Sequence, residues 1–121
     1  MKEAGQIALL RFPKTDLADG KLRPVLLLAR LPNRYGDWLI CMISSKVHQF
    51  IEELDELIAS DANDFRKSGL KSESVVRVTR LAVVSNDILV GPIGQISHKR
   101  LSQIRKKLSE WIRTGEVKSK P

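Results

Sequence analysis

Apolar residues along the chain gather in short runs separated by polar breaks, and each run carries its own period. Residues 5–12, GQIALLRF, form an apolar run bounded by Gly5 and Pro13, which predicts a strand. Residues 13–22 are polar and hold the turn pair Asp19-Gly20, so they read as a loop. RPVLLLARL (23–31) predicts a second strand, with Pro24 near its start because proline cannot donate to a ladder. PNRYGD (32–37) is a turn, and WLICMISS (38–45) is a third strand, apolar enough to be buried on both faces. Runs so close in sequence favour an antiparallel meander.

The middle is ambiguous. KVHQFIEELDEL is compatible with a short helix, while ELDELIAS can equally enter a strand. Residues 52–64 hold six acids and no base, which predicts an exposed stretch. Within 68–84, Val76 and Val78 alternate with Arg77 and Thr79, the period of a strand with one wet face. Residues 87–97 predict another short strand, bent or bulged at Gly91 and Gly94. A helix then starts from an N-cap at Ser97. Leu101, Ile104, Leu108, Trp111 and Ile112 form its apolar stripe, and Gly115 ends it. The expected architecture is mainly β with α: a small curled barrel or half-barrel of five to seven strands with a C-terminal amphipathic helix.

Length and composition narrow this further. The 121 residues, 42% hydrophobic, suffice for one domain with a real core. No apolar run nears the roughly 18 residues of a membrane span, and the start lacks a secretory signal pattern. A cytoplasmic protein is the expectation, with no membrane partner. Cys41 is the single cysteine, so no internal disulfide forms, and its apolar surroundings make it a small core residue.

The net charge is +7, and its distribution matters more than its size. From Ser97 onward eight basic residues face two acidic ones, so that segment carries +6 and the first 96 residues only +1. The pattern suits an anionic partner such as nucleic acid, held by the basic helix, and also suits a simply solvated helix face.

Few residues carry chemistry. His48 and His98 are far apart and lack metal-ligand spacing, and phosphate-loop, dinucleotide and nucleophile-elbow motifs are missing, so no metal or cofactor is expected. What remains lies at strand ends: Arg23, Ser44, Ser45, Ser74 and Arg77. In a meander the start of the second strand and the end of the third share an edge, which brings Arg23 and Ser44 together. A guanidinium and a hydroxyl can hold a phosphodiester and stabilise charge building on it. Arginine is too basic to accept a proton, so its part is electrostatic. Because Arg23 precedes a proline, its backbone is held extended. The bland alternative is a surface ion pair at Arg23 and strand-capping serines. Trp38 and Phe50 can stack bases, but core positions are the commoner use of such aromatics.

The ordered blocks GQIALLRFPKTD, GKLRPVLLLARL, WLICMISS, SGLKSESVVRVTRL and GPIGQIS resemble the PemK/MazF toxins of type II toxin–antitoxin modules, from about Gly5 to Ile112. The resemblance implies one SH3-like barrel domain over 1–114, with 115–121 a flexible basic tail. It implies a homodimer that cuts single-stranded RNA without a metal, halts translation, and is neutralised by an antitoxin that also binds operator DNA with it. The barrel is shared with toxins that poison DNA gyrase, so a non-nucleolytic toxin or DNA-bound regulator remains the alternative.

Carried onto this chain, the resemblance makes Arg23 the active-site arginine and places Ser44 where relatives usually hold threonine. Asp16 is the acid candidate on the first loop, and His48 a second candidate proton acceptor. Lys21, Ser45, His48, Ser74 and Arg77 are expected to contact RNA. Thr79 stands where many relatives carry an acid, a departure from any mechanism that needs a carboxylate there.

Overall fold

The computed structural model describes residues 2–11 and 21–117. Asp16 and the Asp19-Gly20 turn lie outside the described residues. Six strands form one antiparallel sheet: β1 (Gln6–Arg11), β2 (Leu22–Arg30), β3 (Asp37–Ser44), β4 (Glu56–Ile58), β5 (Ser74–Ser85) and β6 (Leu89–Gln95). Helix α1 (Phe65–Ser68) follows β4, and α2 (His98–Thr114) ends the chain. The strand order β4-β5-β3-β2-β1-β6 begins as the expected meander through β1, β2 and β3. It then departs: β5 pairs with β3, β4 lies outside it, and β6 returns to pair with β1.

The ambiguous middle divides between its two readings, a 3₁₀ turn at Val47–Gln49 and the strand β4. The expected exposure of 52–64 holds only in part: Glu52 and Asp61 are exposed, but two of the six acids are buried. Asp55 and Asp64 are 1% and 5% exposed, because each carboxylate has buried donors to satisfy it.

The sheet carries a core on each face. One face packs Ile7, Leu26, Cys41, Ile43 and Val76 against Leu101, Ile104 and Leu108 of α2. Each of these helix residues stabilises the fold by about 1.5–3 kcal/mol relative to exposure. Trp111 packs against the edge of this core, whereas Ile112, expected in the stripe, is 64% exposed. The Ser97 hydroxyl accepts from the Arg100 N–H at 3.1 Å, and Gly115 at φ 73° ends the helix, both as expected. Cys41 is buried in this core, and burial first, then the nearby Asp55 charge, pushes its thiol well above its ordinary range. The opposite face packs Ala8, Val25, Leu27, Trp38 and Ile40.

The sheet curls because its two ends are tied. Helix α1, which extends the β4 end, lies directly on β6. A Cβ on Gly94 would sit 2.2 Å from the Lys67 carbonyl oxygen, and one on Gly69 would sit 2.1 Å from that of Ile93. Only glycine lets two backbones approach so closely, and Gly69 also takes φ 74°.

Candidate nucleic-acid interface

β2 and β3 pair with Val25 opposite Met42, and that register continued by two residues sets Arg23 across from Ser44. On the other side of β3, Met42 lies opposite Arg77 and Ser44 opposite Val75. Side chains alternate along strands, so Arg23, Ser44 and Arg77 share one face, the one turned away from α2. There they line a cleft of about 860 Å³.

Five cations line this cleft, Arg23, Lys46, Lys71, Arg77 and Arg80, and no carboxylate among the described residues does. Five of the chain's net seven positive charges therefore lie here, leaving two for the rest. Ser44 accepts from the Lys46 N–H at 3.0 Å, which leaves its hydroxyl proton to donate. Ser74 is buried and donates to the Ser72 carbonyl at 2.8 Å, so it shapes the wall rather than offering a donor. Arg77 donates from Nη1 to Gln49 Oε1 at 3.1 Å, while its Nε is buried without an acceptor.

Of the residues singled out in the sequence, Arg23, Ser44, Ser45, Ser74 and Arg77 come together in the cleft. Lys21 is exposed just before β2, and His48 is exposed in the 3₁₀ turn; neither lines the cleft, to which that stretch contributes Lys46 and Gln49 instead. Trp38 is 2% exposed in the core, with the Arg30 guanidinium 5.0 Å above its ring, so it cannot stack on a base. Phe50 is exposed and also outside the cleft.

Lys46, Gln49, Lys71 and Arg80 were not anticipated. Arg80 is instructive. A regular strand would point positions 77 and 80 to opposite faces. The β3–β5 register jumps, however: Met42 faces Arg77, but Cys41 faces Leu81, so residues 78–80 form a bulge. The bulge turns Arg80 into the cleft beside Arg77, and half-buried Thr79 stays out of it. The Val78 N–H, displaced from the ladder, donates to Asp55 Oδ1 at 3.0 Å.

Part of the basic C-terminal helix is engaged within the fold. Arg100 binds Asp64 from Nε at 2.8 Å and from Nη2 at 3.0 Å, and binds Glu56 at 3.2 Å. Lys107 pairs with the same Glu56, and Arg105 donates to the Leu28 carbonyl at 2.7 Å. Two cations of the C-terminal segment, Arg100 and Lys107, thus pair with two of the six acids of 52–64, Glu56 and Asp64. Burial alone would raise the Asp64 carboxyl, but bonds from Arg100 and the Ser97 N–H outweigh it and hold the group below its ordinary range. Burial likewise disfavours the Arg100 charge, yet Asp64 and Glu56 leave it more basic than usual. No helix of the described residues is long and apolar enough to cross a membrane.

A family model described as PemK-like, MazF-like toxin of type II toxin-antitoxin system matches residues 3–112. A search of curated proteins gives no match. Among solved structures, the chain is similar to an endoribonuclease in complex with its cognate antitoxin from a mycobacterial species, with 13% identity and a TM-score of 0.66 over 94% of this chain and 97% of that one. It is also similar to the toxin MazF-mt6 of Mycobacterium tuberculosis, with 18% identity and a TM-score of 0.63 over 89% and 96%. A third is MazF of Deinococcus radiodurans, at 19% identity and a TM-score of 0.60 over 93% and 97%. At such identities the likeness speaks for the fold.

Proposed function

Because the chain belongs to the PemK-like, MazF-like toxins of type II toxin–antitoxin systems, we propose that it is a sequence-specific endoribonuclease that cuts single-stranded messenger RNA without a metal and so arrests translation. The observation that carries this reading is the cleft itself, where Arg23 faces Ser44 among five cations and no described carboxylate. Such a surface attracts a polyanion and repels nothing in it.

The reaction proposed is transesterification. The ribose 2′-oxygen bonds to the adjacent phosphorus as the bond to the 5′-oxygen breaks. The products are a 2′,3′-cyclic phosphate and a 5′-hydroxyl. Arg23 neutralises charge on the pentavalent phosphorane, and the Ser44 hydroxyl donates to a phosphate oxygen. The 2′-hydroxyl proton passes to a base, for which Asp16, on the segment leading to Arg23, is the residue we assign. The departing 5′-oxygen takes its proton from solvent water, so the proton count balances. Residues 1–114 act as one toxin domain with 115–121 as its basic tail. The protein works in the cytoplasm as a homodimer, restrained by an antitoxin with which it also contacts operator DNA.

The test is incubation with a long single-stranded RNA in excess EDTA, beside Arg23→Ala, with the 5′ ends of fragments mapped. Discrete cuts by the wild type alone are expected. Intact RNA in both reactions, or equal cutting by both proteins, overturns the reading. Trapped cleaved DNA with gyrase would then favour the gyrase-poisoning alternative.

A further inference from the structure

We infer that Arg80 forms a second phosphate subsite in the cleft, which binds a backbone phosphate other than the one at Arg23, and that the β5 bulge is what places it there. The inference rests on the RNA-cleaving reading of the cleft and extends it to a residue with no part in that chemistry.

Three observations carry it. The register jump between Cys41 and Met42 inserts residues 78–80 into β5 without partners on β3. A bulge of this kind re-aims a side chain, and here it takes a position that a regular strand would send to the α2 face and sets it in the cleft. The bulge is also fixed: the buried Asp55 carboxylate accepts from the Val78 N–H at 3.0 Å and from the Ile51 N–H at 2.9 Å. Arg80 itself is exposed, so its guanidinium is open to a ligand.

The position suits a second phosphate rather than the same one. Arg23 stands on β2 and Arg80 on β5, with β3 between them. Two strand spacings set their backbones roughly 10 Å apart. Arg80, in the bulge between the Met42 and Cys41 pairings, is also displaced along the strands from Arg23, which lies across from Ser44. The two guanidiniums are therefore rooted at different places along the cleft, as successive contacts to one polynucleotide backbone require. An arginine pairs with phosphate oxygens through its planar fork, whatever the base. The subsite therefore contributes affinity and register, not base readout.

The experiment measures binding of a short fluorescein-labelled 2′-O-methyl RNA, which lacks the nucleophilic hydroxyl, by anisotropy across a series of salt concentrations. Cleavage plays no part in the readout. Arg80→Ala is expected to weaken binding about three- to tenfold at low salt and to reduce the slope of log affinity against log salt by about 0.7, the loss of one single-strand phosphate contact. Arg80→Lys should keep the wild-type slope. The exchange T79R/R80T keeps the net charge but moves the cation one place along the bulge, and is expected to lose slope as Arg80→Ala does.

A wild-type slope in Arg80→Ala removes the subsite. Were the exchange variant to keep the wild-type slope, net charge alone would be at work and the bulge would have no placing role. If the wild type does not bind the probe, the RNA reading of the cleft falls and this inference falls with it. Binding by the wild type with an unaltered Arg80→Ala slope sinks this inference alone.

Discussion

The carboxylate of Asp55 accepts the backbone N–H of Val78, 23 residues further along the chain, at the point where β5 leaves its ladder with β3. A second bond, from the Ile51 N–H at 2.9 Å, uses the other oxygen. One buried side chain thus satisfies two backbone donors that no strand partner reaches. Asp55→Ala strands both. The buried Val78 N–H costs about 1–3 kcal/mol as an orphan, while exposed Ile51 can turn its N–H to water, so the loss should be about 1–3 kcal/mol. Urea denaturation measures it, and a change below about 0.5 kcal/mol, the scale of a neutral surface substitution, would show that Asp55 does not hold the bulge.

Asp64 and Arg100 predict an acid-sensitive stability. The folded Asp64 carboxyl lies below its ordinary value of 3.8, so the unfolded chain binds its proton more readily. Its contribution is fully present above the unfolded value and is lost as pH falls through the lower, folded one. Stability curves from pH 6 downward should show an acid limb that Asp64→Asn flattens. Arg100→Ala leaves a buried carboxylate unpaired and should cost about 3 kcal/mol near neutral pH. An acid limb identical in wild type and Asp64→Asn would assign it to other groups.

The seam between α1 and β6 predicts a contrast between two glycines. A Cβ at position 94 collides with the Lys67 and Ser68 backbone, whereas one at position 91 meets nothing within 4 Å. Gly94→Ala should therefore destabilise by about 1–3 kcal/mol, and Gly91→Ala should stay within about 0.5 kcal/mol. Thermal melts of the pair decide it, since equal midpoints would mean that the seam yields without cost.

Ser44 offers a graded test of the proposed chemistry. Ser44→Ala removes the hydroxyl beside the scissile phosphate and should slow RNA cleavage about a hundredfold, the effect of losing one transition-state donor. Ser44→Thr retains the hydroxyl and stiffens its rotamer, so its rate should equal or exceed that of the wild type. Single-turnover cleavage rates compare the three. A fully active Ser44→Ala would remove the residue from the mechanism.

Much of this molecule was legible before folding. α2 announced itself because Leu101, Ile104 and Leu108 repeat at the helical period between a serine cap and a glycine stop. Arg23 and Ser44 were brought to one edge because in a meander the start of the second strand lies beside the end of the third, and both line the cleft. Arg80 was not legible: its place depends on a register jump, which leaves no local mark in VRVTRL. The buried acids failed for a related reason. Six carboxylates in a row read as solvated until their partners are known, and Arg100 lies 36 residues from Asp64. Local periods reveal elements, whereas long-range charge pairing appears only once those elements are packed.

That pairing shapes the field around the whole molecule. Arg100 and Lys107 are paired with Glu56 and Asp64, whereas five cations without a carboxylate among the described residues line the cleft. That concentration of like charge gives the cleft a positive local field. A polyanion diffusing toward it feels a torque before any contact forms and arrives facing the cleft, so encounters from the wrong side are few and the association rate falls steeply as salt screens the field.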